Sequence, residues 1–198
     1  MVERIGIFGG TFDPIHVGHL VAAVNAKHAV GLDRVVLMVA NVPWQKADAR
    51  VVSSAADRLA IVEAAVGDVP GLEAGSMEIE RGGVSYTADT LAAVRKDKPN
   101  DDLYLIVGWD VASELRSWER QDEVKALATL VVVNRPGSGR PVELEKGGWR
   151  VVEVTVPNLE ISSTDLRARA ADGRPLEYLI PEAAVHCIRQ RRMYAGGG

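Results

Sequence analysis

The chain has 198 residues, 47% of them hydrophobic and 25% charged, a balance that suits one globular domain with its own core and excludes a disordered chain. Its net charge of −4 argues against broad nucleic-acid binding, which needs a basic face, while leaving room for one small basic phosphate pocket. The single cysteine, Cys187, rules out an internal disulfide and suits a reducing cytoplasm, and the sequence has neither a signal-peptide core nor an apolar run of bilayer length, so no membrane partner is expected.

Short β-branched runs alternate with amphipathic stretches along the chain. Arg4 to Gly9 reads as a first buried strand, and Val17 to Val30 as a helix stopped by Gly31. Arg34 to Ala40 is a second strand, followed by a polar loop from Asn41 to Val52, long enough to be a lid candidate. Ser54 caps the next helix, with Asp57 three residues on. Leu72 to Glu80 reads as a strand, Thr87 to Lys98 as a helix closed by Pro99, and Leu103 to Gly108 as a strand. Asp110 to Ala128 holds one or two helices, and Thr129 to Asn134 is a strand. Pro136 to Gly148 is a surface loop before a strand from Trp149 to Val156. Ser162 to Ala171 and Pro181 to Arg192 are the last helices, the latter with proline at its first turn.

Continuous apolar strands alternating with helices predict an α/β fold: a doubly wound, Rossmann-like parallel sheet with helices on both faces. It forms a single domain over residues 1–195, with a flexible glycine tail at 196–198. Such sheets bind ligands beyond the carboxyl ends of their strands, near the point where strand order reverses. Gly9–His19, Asn41–Lys46, Gly108–Asp110 and Arg135 all follow strands directly.

The first of these is Gly9-Gly10-Thr11-Phe12-Asp13-Pro14-Ile15-His16-Val17-Gly18-His19. Paired glycines allow positive φ and close approach to a ligand, and the helix behind them offers free N–H groups to a phosphate. His16 and His19, three residues apart, can face the same side of the helix entrance, and Gly18 leaves room for a ligand against the backbone. A Walker A loop is excluded by the missing Gly-Lys-Ser/Thr, and Gly6-x-x-Gly9-Gly10 does not match a dinucleotide fingerprint. Zinc would need more ligands than two histidines; His28, His186 and Cys187 lack a recognisable ligand spacing, so no protein-held metal is expected. The plainer reading is a tight turn with incidental histidines.

A second cluster, Ile161-Ser162-Ser163-Thr164-Asp165-Leu166-Arg167, opens a late helix. Its hydroxyls supply an N-cap and donors at a positive helix end, and Arg167, one turn further in, can fork onto a pair of phosphate oxygens. Alone, this is an ordinary capped helix with a solvated arginine.

Together the two segments resemble the (T/H)-x-G-H and ISSTxxR signatures of the adenylyl- and cytidylyltransferase superfamily. GGTFDPxHxGH, SYTxDTL at Ser85–Leu91, Gly108-Trp109-Asp110 with Trp118, and the Arg135-Pro-Gly step are similar in order to the bacterial nicotinate-nucleotide adenylyltransferase family, over nearly the whole chain from Arg4 to about Tyr194. The resemblance implies an enzyme that moves AMP from ATP to nicotinate mononucleotide, giving deamido-NAD and pyrophosphate in NAD biosynthesis, by direct in-line attack without a covalent intermediate. It implies catalytic roles for His16, His19, Lys46 and Arg167. ATP would meet the glycine turn at Gly9, Gly10, Thr11, Phe12 and Gly18, the strand ends at Gly108, Asp110 and Arg135, and the helix entrance at Ile161, Ser162 and Ser163. Asp110 ends a strand, where it can accept bonds from a ribose.

The acceptor would meet Trp44, Tyr86, Thr87, Trp109 and Trp118. Thr87 as an N-cap would leave amides for the nicotinate carboxylate, and Trp118 offers a flat face for the pyridine ring. Trp109 departs from the small residue usual in the family between the glycine and the aspartate. Mg2+ would be the cofactor, bound mainly through ATP phosphates and water. The partners are then ATP and nicotinate mononucleotide, without nucleic acid or membrane; a homodimer is compatible with the sequence. Two alternatives stay open: the same chemistry on another phosphate acceptor such as nicotinamide mononucleotide, and a non-catalytic nucleotide sensor.

Overall fold

In the computed structural model, which describes residues 2–43, 52–118, 120–134 and 142–195, six strands lie side by side and every neighbouring pair runs parallel. They are β1 (Arg4–Gly10), β2 (Arg34–Val39), β3 (Leu72–Gly75), β4 (Asp102–Gly108), β5 (Thr129–Asn134) and β6 (Val151–Thr155). Their spatial order is β3-β2-β1-β4-β5-β6, so the chain winds outward one way from β1 and returns to wind the other way from β4. The reversal between β1 and β4 is where a doubly wound sheet opens a crevice.

The strand sequences explain why both faces are covered. In β5, Val131 and Val133 face one core while Leu130 and Val132 face the other. The first core is closed by α1 (Val17–Val30), α2 (Ala55–Val66), α8 (Ser163–Asp172) and α9 (Glu182–Gln190), through residues such as Ala26, Ile61, Leu166 and Ile188. The second is closed by α4 (Thr87–Asp97), α5 (Trp109–Glu114) and α6 (Gln121–Leu127), through Leu91, Ala112 and Val124. Each fully buried aliphatic side chain contributes about 1.5–3 kcal/mol. Gly31 ends α1 in the left-handed region (φ 69°), and Ser54 accepts the Asp57 N–H at 3.1 Å to begin α2, as the sequence predicts.

Two predicted elements differ. The strand expected over Leu72–Glu80 stops at Gly75, and Met77–Arg81 forms a short helix, α3. Alternating Met77 and Ile79 imitate a strand, but Ser76 turns the chain: its carbonyl accepts the N–H groups of Ile79 and Glu80, and its hydroxyl donates to Glu80 at 2.5 Å. Within the tract expected as surface loop, Val142–Lys146 forms the one-turn helix α7. Asp110–Ala128 resolves into α5, a 3-10 turn at Leu115–Ser117, and α6. Among the described residues, no helix is long and apolar enough to cross a membrane.

Candidate active site

Gly9 and Gly10 are the last residues of β1 and do not take positive φ; Phe12 does, at 47°. A Cβ on Gly10 would lie 2.7 Å from the Phe12 ring, so this glycine makes room for Phe12 rather than for a left-handed turn. Phe12 is buried under the turn and meets His19 edge-on at 5.1 Å. His16 holds the N-cap position of α1 in extended conformation, and its N–H donates to His19 Nδ1 at 3.3 Å. The two imidazoles stack with centroids 3.8 Å apart. A Cβ on Gly18 would lie 3.0 Å from His16 Nδ1, so the missing side chain makes room for the His16 ring, and Gly18 also lines the cleft beside it. Burial pushes the His16 pKa down to about 4, which keeps the ring neutral at neutral pH. Its Nδ1 has no hydrogen-bond partner among the described residues.

Two clefts open at the carboxyl ends of β1 and β4, and both are lined by Phe8 and Gly108. One, of about 400 Å3, has His16, Gly18 and His19 on one wall, Trp109 and Asp110 across from them, and Ile161 beyond. The other, of about 200 Å3, is lined by Gly9, Gly10 and Thr11, with Thr87, Glu78 and Trp118 among the facing side chains. The structure therefore divides the candidate residues differently from the sequence. The Gly9–Thr11 segment, expected beside ATP, lies in the Trp118 cleft, and Trp109, expected beside Trp118, lies in the histidine cleft. Phe12, Tyr86, Ser162, Ser163 and Arg167 line neither. Asp110 stands in the first turn of α5 instead of ending a strand.

Thr87 is not an N-cap. The extended cap residue is Tyr86 (φ −112°, ψ 129°), without a side-chain cap bond, and Thr87 is already helical. The start of α4 is instead held from inside by Thr90, whose hydroxyl donates to Glu78 Oε1 at 2.6 Å, with the Tyr86 carbonyl as the more distant acceptor at 3.3 Å. Trp118, on the segment between the 3-10 turn and α6, closes the same cleft and carries a buried Nε1 that lacks a partner among the described residues. Arg120, two residues on, pairs with Asp89 in the first turn of α4 and with Glu123.

The second motif is bonded directly to the first. Ser162 caps α8 by accepting the Asp165 N–H at 3.2 Å. Ser163 Oγ donates to the Pro14 carbonyl at 2.9 Å, and Arg167 Nη1 to the Asp13 carbonyl at 2.7 Å. Trp44, Lys46 and Arg135 lie outside the described residues.

Three buried polar residues of this region escape sequence reasoning. Glu78 is 7% exposed and was hidden inside the expected strand. Arg58, 1% exposed, donates to the carbonyls of Ser53, Thr11 and Asn41 at 2.8–2.9 Å. Its signal was present: Arg58, Ile61, Val62 and Ala65 form one apolar stripe of α2, on which a charge needs buried partners. Asp13, also 1% exposed, accepts from the Tyr194 hydroxyl. Among the described residues, no three His, Cys, Asp or Glu side chains gather as a metal-binding group.

The cytidylyltransferase-like family model matches residues 7–169. A Corynebacterium kroppenstedtii protein named probable nicotinate-nucleotide adenylyltransferase is 41% identical over 98% of this chain and 92% of its own length. One of the same name from Streptomyces coelicolor is 43% identical over 95% of this chain and 99% of its own. The chain belongs to the nicotinate-nucleotide adenylyltransferase family. Its fold agrees with that of the Plasmodium falciparum nicotinic acid mononucleotide adenylyltransferase solved with NaAD, at a TM-score of 0.77 and 16% identity over 97% of each chain. The stretch of this chain matched by the cytidylyltransferase-like model covers the lining residues of both clefts and ends just past Arg167.

Proposed function

We propose that the chain transfers AMP from ATP to nicotinate mononucleotide, forming deamido-NAD and pyrophosphate in NAD biosynthesis. The observation that carries this reading is the pair of clefts sharing Phe8 and Gly108: one walled by stacked histidines, the other by an indole and a helix start, meeting where strand order reverses. ATP occupies the histidine cleft, with its nucleoside beside Trp109 and Asp110. The mononucleotide occupies the Trp118 cleft, its pyridine ring against the indole and its carboxylate toward the first amides of α4 at Thr87. Their phosphates meet at Gly108.

An oxygen of the mononucleotide's 5′-phosphate attacks the α-phosphorus of ATP in line. The new P–O bond forms as the bond to the β-phosphate bridging oxygen breaks, and the electron pair leaves with pyrophosphate. The nucleophile is already an anion, so the protein supplies positioning and charge stabilisation rather than a strong base. His16, neutral through burial, and His19 hold the α-phosphate region. Ser162, Ser163 and the start of α8 receive the leaving pyrophosphate with Arg167 and Lys46. Mg2+ fits as a companion of ATP, because Asp110 is the one carboxylate among the described residues lining the histidine cleft and phosphate oxygens and water must complete the shell. It would offset the negative charge of the phosphates. The half-buried lone thiol of Cys187 suits a cytoplasmic setting.

The test is incubation with ATP, Mg2+ and each mononucleotide in turn, following pyrophosphate. Release that depends on nicotinate mononucleotide supports the reading. Release only with another acceptor, or nucleotide binding without release, overturns it.

A further inference from the structure

A part-buried polar chain centred on the buried Asp13 lies behind the histidine turn and ends at the last described turn of the protein. Asp13 Oδ1 accepts from the Tyr194 hydroxyl at 2.8 Å, across 181 residues, and Oδ2 accepts from the Ser53 N–H at 3.5 Å. The Asp13 carbonyl receives Arg167, and the adjoining Pro14 carbonyl receives Ser163. Asp13 thus touches the C-terminal hook, the second motif and the α2 entry while standing three residues before His16. The hook is deliberate in its geometry: after α9, Arg192 and Tyr194 both take left-handed backbone (φ 51° and 60°), which turns the phenol inward. Burial and the neighbouring Asp13 charge raise the phenol's pKa, so it remains a donor across the working pH range.

We propose that Tyr194 is a positioning residue for adenylyl transfer: its hydroxyl fixes Asp13, and Asp13 fixes where Arg167 and the histidine turn meet the phosphates. This rests on the reaction assigned above. Small displacements of reacting groups are expensive in rate, about 100-fold for 1 Å. A pin that merely stabilised the fold would act through the aromatic ring, which packs against the first core, and the hydroxyl would be dispensable for turnover.

The experiment compares Tyr194→Phe with Tyr194→Leu, measuring kcat and both KM values at a temperature below the onset of unfolding, and the melting temperature separately. The acceptor is whichever mononucleotide the wild-type chain turns over fastest, so a different acceptor would defeat the reading above and leave this test standing. Both variants should lose about 10-fold in kcat, with the mononucleotide KM within about twofold, and the leucine variant, which also loses the ring packing, should melt lower than the phenylalanine variant. Wild-type kcat in Tyr194→Phe, or a loss seen only in the leucine variant, overturns the proposal. Asp13→Asn gives an independent arm and should also lower kcat. If it turns over like wild type, Asp13 transmits nothing and the proposal falls.

Discussion

On one side of Phe8 and Gly108, the wall is made of side chains held by the backbone beneath them. His16 and His19 stack on each other, Gly18 leaves the space for the His16 ring, and Arg167 and Ser163 are bonded to the carbonyls of the same turn. On the other side, the wall is assembled from separate elements: α3 through Glu78, the start of α4 through Thr87, and Trp118 on a connecting segment. Beside the apolar core that this segment shares with α4, an exposed ion pair between Arg120 and Asp89 adds a tie of the kind that contributes about 0–1 kcal/mol. The histidine turn is therefore bonded directly to the second motif, while the Trp118 wall depends on how α3, α4 and the connecting segment pack together, with Thr90–Glu78 as its buried hydrogen bond. Chemistry needs the first kind of wall. Choice of acceptor can be altered on the second kind without disturbing the first.

The contrast breaks most sharply at His19. His19→Ala should lower kcat by at least ~100-fold, as expected for a lost transition-state donor, while the KM for ATP changes by less than about threefold. Near-normal turnover would remove His19 from the chemistry. The next effect is on stability and belongs to His16. In the unfolded chain its imidazole titrates near 6.5, and in the folded protein burial holds it near 4. Between those values the unfolded chain binds more protons, so stability is full above pH 6.5 and is lost as pH falls toward 4, by at most about 3 kcal/mol. Urea melts at pH 7 and pH 4.5 measure this. His16→Gln should show a smaller drop than wild type, and an equal drop would mean that the buried ring is not its source.

Trp118→Ala probes the other wall. Loss of the aromatic face should raise the mononucleotide KM by about 10-fold and leave the ATP KM unchanged. An effect confined to ATP would exchange the two clefts.

How much of this was legible in the sequence follows the same division. The histidine turn and the α8 entrance are contiguous, so their residue types and spacing disclose an anion site before any fold is known. The winding of the sheet was also legible, because strands covered on both faces leave uninterrupted apolar runs. The pairing of clefts was not. Gly9–Thr11 and Trp109 sit next to histidine-cleft and Trp118-cleft residues alike in sequence, and which cleft each lines depends on how the chain leaves β1 and β4, which no residue pattern states. Glu78 was lost because Met77 and Ile79 alternate as a strand would. Asp13 and Tyr194 meet across 181 residues, a contact no local pattern encodes.

The smallest expected effect separates stability from rate. A Cβ at Gly18 would lie 3.0 Å from His16 Nδ1 and 3.1 Å from its Cε1, closer than ordinary van der Waals contact, so the imidazole must shift by a few tenths of an ångström. Gly18 is also in the first turn of α1, where alanine is favoured over glycine by roughly 0.5–1 kcal/mol. Gly18→Ala should therefore melt no lower than wild type and yet turn over about threefold more slowly, given how steeply rate depends on placement. Gly9 supplies the control from the other cleft, since a Cβ there meets nothing within 4 Å. Gly9→Ala should leave kcat unchanged and act, if at all, through the mononucleotide KM. Equal kcat in the two variants would mean that the His16 ring tolerates displacement, and the histidine cleft would then be no more exacting than its neighbour.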